Sequence, residues 1–322
     1  MPQHRADYPA AAHPSIPVRN VTALTMPMWV LKTLDHSFWE YRNRPAWSLF
    51  PPPRLRGMIS ARLERPIFII GAARSGTTFL GDCFGALPGV SYHHEPVLTK
   101  SATKHVYQGD WTEEQARRLF RWTYLLLMRV HGEGDLRFAE KTPSNAHILP
   151  FLADSFPDAQ FIHIHRDGRD SALSLSKKPW LGEPAKPVKY EPGGYPEGPF
   201  ARHWVEAERT EEFEQTSHFH RCIWSWRRNL LSVQRWRNLL SDDRFMELRY
   251  ETLADNAQNE ARRLAAFLAL DRRDADALET ALSTFTPASI GRWRAELSEQ
   301  QVAIAHREAG DMLRHYGYLV HR

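Results

Sequence analysis

Residues 71–80, GAARSGTTFL, follow the apolar run Pro66-Ile67-Phe68-Ile69-Ile70 and open a helical pattern. A strand, a tight glycine turn and a helix N-terminus together make an anion site. Backbone N–H groups point into such a turn, and the helix dipole adds about half a positive charge. Gly71 and Gly76 supply backbone freedom, Ser75, Thr77 and Thr78 add hydroxyls, and Arg74 puts a cation inside the loop. The pattern approaches the phosphate loop G-x-x-x-x-G-K-[ST], but Thr77 stands where that loop needs lysine. In a nucleoside triphosphatase that lysine reaches the β- and γ-phosphates, and a later aspartate helps hold Mg²⁺. Asp167 follows an apolar run, but Arg166 directly precedes it and competes for its charge. The loop therefore reads as the seat of a shorter anion chain, with no metal required.

A second cluster, His165-Arg166-Asp167-Gly168-Arg169-Asp170-Ser171, follows the apolar run 161–164. In open α/β sheets ligands gather at the carboxyl ends of strands, and this sequence places the cluster there. Arg166 has the geometry to grip a phosphate with two N–H groups. Ser174, eight residues on, lies a little over two helical turns away and adds a hydroxyl. Arg169 and Asp170 read first as a surface ion pair, and His163 and His165 as satisfied histidines on one strand face rather than metal ligands.

The elements that must carry these clusters alternate short apolar runs with helical patterns from Arg65 onward, the pattern of a parallel sheet covered by helices. The spacing predicts strands at 66–70, at 90–92 leading into His93-His94-Glu95-Pro96, at 159–165 and at 244–250. It predicts a helix burying Phe79, Leu80, Cys83, Phe84 and Leu87 and stopping at Pro88-Gly89, and one capped by Thr112 with Gln115. Further helices are expected over about 144–156, from about 167, over about 205–240 and in three patterns to the C-terminus. Residues 179–203 are dense in Pro and Gly, and so long a loop in a compact domain is a candidate functional segment. The fold class is a doubly wound, mainly parallel α/β sheet flanked by helices, of the P-loop NTPase type.

Residues 1–64 read as an arm, Pro- and Ala-rich to about residue 20, then rich in Met26, Met28, Trp29, Val30, Leu31, Trp39, Trp47 and Phe50. Packing on the body of the protein is the first reading of those side chains. Contact with a second subunit, a lipid surface or the substrate is the second. Over 322 residues the formal charge is +4, which suits an anionic ligand but is too diffuse for nucleic acid. Cys83 and Cys222 lack metal-ligand spacing and are too few for a disulfide framework, which fits a reducing compartment. No signal-peptide layout or membrane-spanning run is evident, so a cytoplasmic protein is expected.

Five segments together resemble the sulfotransferase family, whose donor is 3′-phosphoadenosine 5′-phosphosulfate. They are the loop 74–78, EKTPSNAHILPFL, FIHIHRDGRDSALSLS, Leu248-Arg249-Tyr250-Glu251-Thr252-Leu253 and GRWRAEL, in family order from about residue 65 to 318. The resemblance implies that loop residues Arg74, Ser75, Gly76, Thr77 and Thr78 hold the 5′-phosphosulfate. It implies that Arg166 and Ser174 hold the 3′-phosphate, assisted by Lys178 twelve residues after the arginine. Tyr250 matches a tyrosine that contacts the adenine. Gly291-Arg292-Trp293-Arg294 resembles the late basic loop over the nucleotide, with Arg292 and Arg294 its cations, although the longer Lys-Gly arrangement of cytosolic members is absent.

Sulfuryl transfer needs a base for the acceptor proton. Cytosolic members take it from a Lys-Thr-His sequence, but Lys141-Thr142-Pro143 lacks that histidine. Tyrosylprotein and heparan-type members carry a glutamate at the end of the second strand, a place matched by Glu95. Glu95 is the candidate base, with His94 as rival and an ion pair to a neighbouring lysine as the bland alternative. Lys141 is the candidate for charge on the bridging oxygen, unless Glu140 neutralises it. The acceptor is expected to be a carbohydrate or glycolipid hydroxyl, or else a phenol or tyrosyl group, met by Trp180, Tyr190, Tyr195 and Trp204 unless these only anchor their loop. A P-loop small-molecule kinase and a non-catalytic nucleotide-binding module are the readings from other classes.

Overall fold

A computed structural model describes residues 21–44, 53–178, 181 and 203–319. Its strands are β1 (Ile67–Ile70), β2 (Val90–His94), β3 (Arg137–Lys141), β4 (Gln160–His165) and β5 (Phe245–Arg249). They form one parallel sheet in the order β2-β3-β1-β4-β5. The chain leaves β1 toward one edge, returns through β3 and crosses to β4, so the winding reverses beside β1. Such a switch point opens a crevice at the carboxyl ends of the strands.

The helices are α1 (Met26–Arg42), α2 (Leu55–Ile59), α3 (Thr77–Phe84), α4 (Val97–Gln108), α5 (Glu113–Val130), α6 (Leu149–Ser155) and α7 (Gly168–Ser176). After these come α8 (Thr210–Gln215), α9 (His218–Trp236), α10 (Thr252–Leu268), α11 (Arg272–Leu282), α12 (Trp293–Glu296) and α13 (Glu299–His315). Side chains alternate across the sheet, so Phe68, Phe138 and Phe161 meet α5 and α6 on one face. Ile67, Ile69, Ala139 and Ile162 meet α3, α10 and α11 on the other.

β3 is the strand that the pattern did not predict. Three of its five residues are charged, yet each charge finds a tertiary partner. Arg137 donates to Arg65 O at 2.7 Å, Leu268 O at 2.7 Å and Gln160 Oε1 at 2.5 Å. Glu140 accepts from Thr142 Oγ1 at 2.7 Å and from Asn145, and Lys141 donates to Glu95.

Two expected helices are broken. Residues 143–148 form a 3₁₀ segment before α6, where Pro150 has no N–H for a continuous α-helix. The expected helix over 205–240 is a 3₁₀ turn, α8, a break at 216–217 and then α9. Ser217 caps α9, its side chain accepting from His220 N, and an N-cap ends the preceding pattern. The helix after the loop stops at Phe84, and Leu87 is buried from the turn beyond it. The capping box of Thr112 and Gln115 is present.

Helix α1 lies on the body of the protein. Trp29 is 1% exposed against Val97 and Leu98. Leu98 N–H donates to Thr33 Oγ1 at 2.9 Å, Ser37 Oγ pairs with His131 Nε2 at 2.7 Å, and Arg44 donates to Tyr92 O at 2.6 Å. Trp39, 51% exposed, is not part of this core, and Trp47 and Phe50 fall outside the described residues. Cys83 and Cys222 are buried free thiols. Among the described residues, no helix is long and apolar enough to cross a membrane.

The turn after β1 demands glycine. Gly71 has φ +154°, and a Cβ there would sit 2.2 Å from Ile164 O on the neighbouring strand. Because Ile164 O is backbone, relief requires parting β1 from β4. Gly71→Ala is expected to cost more than about 2 kcal/mol, read as a lower urea midpoint at unchanged slope.

Candidate active site

Because all five strands are parallel, their carboxyl ends bring the singled-out residues to one edge of the sheet. The loop 71–76 leaves β1, Glu95 follows β2, Lys141 ends β3, Arg166 follows β4 and Tyr250 follows β5. The register sets Lys141 beside Ile69 on one side and His94 on the other.

In the loop, Arg74 and Gly76 have φ of +68° and +92°. Left-handed backbone at a residue other than glycine costs about 1–3 kcal/mol and tends to mark functional turns. The first N–H groups of α3 have no acceptor within the helix. Gly76 packs under the Tyr250 ring, where a Cβ would lie 2.3 Å from Tyr250 Cδ2. Thr77 is buried and Thr78 exposed, while Ser75 Oγ lies 3.4 Å from Ser171 Oγ.

Arg74 and Ser174, distant in sequence, meet: Arg74 Nε donates to Ser174 Oγ at 3.1 Å. Arg166 lies with its guanidinium 4.6 Å from the centre of the Tyr250 ring. It donates to Ser289 O and to Arg74 O at 3.4 Å, and Tyr250 OH lies 2.9 Å from Ser289 Oγ. Arg166 Nε is buried with no partner among the described residues. Burial first, then the Arg166 charge, lowers the Arg74 guanidinium from its ordinary value. Two guanidinium groups thus lie side by side, one with an unused donor at Nε and with Asp170 Oδ2 3.7 Å from its Nη2.

Residues 169 and 170 do not form a surface pair. Arg169 is buried and grips Asp167 with two N–H groups, at 2.9 and 2.7 Å. Asp167 thus answers to Arg169 rather than Arg166, and its side chain caps α7. Asp170, also buried, accepts from Gly291 N–H at 2.6 Å and Trp293 N–H at 2.9 Å, which ties the late basic loop to α7. Arg292 is exposed and donates to Glu296 at 2.6 Å, and Arg294 lies against the Trp293 ring at 4.8 Å. Lys178 is exposed two residues past α7, and it is Lys177 that binds Glu296, at 2.5 Å. Neither Arg292, Arg294 nor Lys178 joins the Arg74–Arg166 cluster.

At the other end of the edge, Glu95 has φ +43° and its N–H donates to Lys141 O at 2.9 Å. Its carboxylate accepts from Lys141 Nζ and from Lys100 Nζ at 2.8 Å. Burial alone would raise the Glu95 carboxyl, but the two ammonium groups hold it well below its usual range. Burial, then Lys141, pushes His94 down to about 3, so the rival base is a neutral and weak one. Lys141 is 1% exposed. Glu140 does not neutralise it, because strand alternation turns Glu140 to the opposite face, where Tyr124, Thr142 and Asn145 enclose it. Burial raises Glu140 to about 7.

Sequence reasoning missed Lys100, Ser289 and the clamp made by Asp170. Lys100 had a usable signal: Pro96 opens a helix just after Glu95, and a lysine in its first turn lies back over the strand end. Trp204 is buried in the core packed around α9, while Trp180, Tyr190 and Tyr195 lie outside the described residues.

A parallel sheet with an anion loop at its switch point and a lysine–glutamate pair beside it defines a group-transfer enzyme. The chain belongs to the sulfotransferase family, whose sequence model matches residues 66–274. Solved structures of similar fold include sulfotransferase STF1 from Mycobacterium tuberculosis, with 15% identity over 90% of this chain and 87% of that one, TM-score 0.49. Sulfotransferase STF9 from Mycobacterium avium matches with 15% identity over 90% and 86%, TM-score 0.47. Mouse sulfotransferase SULT7A1, complexed with PAP, matches with 14% identity over 80% and 88%, TM-score 0.47. No curated protein sequence matches the chain.

Removing Lys141 leaves Glu95 with Lys100 as its one ammonium partner and His94 Nε2 at 3.9 Å. Lys141→Met is expected to lower stability at pH 7 by about 2 kcal/mol, less than for a buried charge with no partner left. The folded Glu95 value lies below its usual 4.5, so the cluster stabilises above that pH and weakens as pH falls through the depressed value. Urea denaturation at pH 7 and pH 3 should therefore show the gap between wild type and variant narrowing in acid.

Proposed function

We propose that the protein transfers a sulfuryl group from 3′-phosphoadenosine 5′-phosphosulfate to a hydroxyl acceptor, a carbohydrate or glycolipid in the first instance. The observation that carries this reading is the convergence of the Arg74–Ser174–Arg166 cluster and the Lys141–Glu95 pair on one sheet edge. Residues 65–322 are read as the catalytic domain and 1–64 as an arm, of which helix α1 packs on that domain.

The donor supplies a sulfuryl group on a good leaving group. The backbone N–H groups of 74–78 and the hydroxyls of Ser75, Thr77 and Thr78 bind its 5′-phosphosulfate. Arg166 and Ser174 bind the 3′-phosphate, with exposed Lys178 free to swing in. The Arg74 side chain, which the resemblance put with the 5′-phosphosulfate, is reassigned to this group because it donates to Ser174. Tyr250, held by Ser289, is the residue we assign to the adenine, and its ring becomes available when the Arg166 guanidinium above it turns to the phosphate. Arg292 and Arg294 close from the loop that Asp170 holds, once Arg292 leaves Glu296. The donor set is all N–H, hydroxyl and guanidinium, which suits a phosphate and sulfate ligand and requires no metal in this reading.

Glu95 takes the acceptor proton on a carboxylate oxygen as the acceptor oxygen bonds to sulfur. The bond from sulfur to the phosphate oxygen breaks, and Lys141 steadies the electron pair left on that oxygen. Lys141 serves Glu95 in the resting site, so the two roles are coupled. When Lys141 turns to the leaving oxygen, Glu95 loses one of two cations and becomes a stronger base.

Adenosine 3′,5′-bisphosphate at one hundred times its Kd should stabilise the protein by about 2.7 kcal/mol, while ATP–Mg²⁺ should not. A thermal shift with the opposite pattern would favour a kinase-type triphosphate site. Glu95→Gln should reduce kcat by about 10²–10⁴-fold with bisphosphate affinity unchanged. Turnover left intact in that variant would exclude Glu95 as the base.

A further inference from the structure

A cavity of about 220 Å³ lies between the arm and the body. Its walls include Glu40 and Trp39 of α1, Thr78 and Asp82 of α3, and Tyr92 and His94 of β2. Thr78 follows the loop after β1, and the lining residues His94 and Pro96 flank Glu95. His94 Nε2 lies 3.9 Å from the Glu95 carboxylate and 3.5 Å from Lys141 Nζ, so the cavity lies next to the candidate base. Three hydrogen bonds, from Leu98, His131 and Arg44, hold α1 as its wall.

The chemistry of the walls is specific. The Asp82 carboxylate has no hydrogen-bond partner among the described residues, and Glu40 has only His36, at 3.9 Å. Burial is the first cause that raises both, Glu40 to about 7 and Asp82 to about 6. Arg44, the arginine of this wall, is turned onto Tyr92 O and the Tyr41 ring. Tyr92 is 3% exposed, and its hydroxyl has no partner among the described residues. His94 Nδ1 is buried and equally without one. Lysine only donates, so the nitrogen facing Lys141 accepts and Nδ1 carries the proton. The cavity therefore offers an Asp82 carboxylate that accepts, a Glu40 carboxyl that accepts when ionised and also donates when protonated, an imidazole that donates and a hydroxyl that does either. An ammonium ligand only donates, and an anion would meet two carboxylates. Hydroxyl groups answer all of them, and half-exposed Trp39 gives a flat face for a ring. The volume lies below the roughly 300–1,000 Å³ of drug-sized sites, enough for one ring rather than a chain.

We propose that this cavity is the acceptor site, and that Glu40 and Asp82 select a neutral polyhydroxyl ring, such as one sugar residue, against anionic acceptors. The inference rests on the sulfuryl-transfer reading above. It gives the arm a part in specificity that its sequence distance from the catalytic residues conceals.

The test compares an alkyl glucoside, the matching alkyl glucuronide and a simple phenol as acceptors, with bisphosphate binding measured in parallel. Wild type should transfer to the glucoside, and about tenfold or more poorly in kcat/KM to the glucuronide. Glu40→Gln with Asp82→Asn should raise the glucoside KM about tenfold, more than it lowers kcat, and largely erase the discrimination. Unchanged bisphosphate affinity shows that the variant is folded, and Glu40→Gln alone keeps the test decisive if the double variant is not. An unchanged glucoside KM, a preference for glucuronide or phenol, or no transfer to the glucoside would overturn the proposal. Bisphosphate binding without glucoside transfer sinks this inference alone, whereas absence of bisphosphate binding sinks the function reading beneath it.

Discussion

Everything at the site depends on the parallel pairing of β1 with β3 and β4. Parallel strands share one carboxyl edge, so loops far apart in the chain are delivered to one place. Pairing also sets the phase of each side chain, because a slip of one residue would exchange the two faces. With Ile69 opposite Lys141, the ammonium lies on the face of α3 and the anion loop. One residue earlier, Glu140 is sealed beneath α5.

The edge separates charge into two kinds. At Arg74 and Arg166 cations crowd together, and Arg166 keeps a donor unused. At Glu95 one carboxylate is matched by two ammonium groups. The first cluster already has one anionic partner, Asp170 Oδ2 at 3.7 Å from Arg166 Nη2. The second is a closed set of ion pairs, with Glu95 held by Lys100 at 2.8 Å and by Lys141. The positive φ of Arg74 and of Glu95 puts local backbone strain at the same two points.

Much of this was legible in the residues, because the informative features are local. The anion loop follows from glycines, hydroxyls and an apolar strand next to one another, and the capping box of α5 from a four-residue spacing. What escaped were features whose stabilising partners lie elsewhere in the chain. β3 looks too charged for a central strand until Arg65, Gln160, Leu268 and Tyr124 surround it. Arg169 and Asp170 look like a solvated pair until Tyr318 O and the 291–293 backbone are brought against them. The single helix expected over 205–240 failed because Ser217, polar and unremarkable in a periodic pattern, caps a new helix there.

By itself, the sequence determined the α/β alternation with four of the five strands, the glycine loop with its threonine in place of lysine, and the family. Those depend on residue type and near-neighbour spacing, which the chain carries whatever its tertiary fold. Only the tertiary structure decided that Arg74 reaches Ser174, that Lys141 serves Glu95 and not Glu140, and that an N-terminal helix walls a cavity beside them. Each of these is a meeting of residues separated by tens of positions. Such meetings are set by strand register and helix packing, which no local pattern encodes.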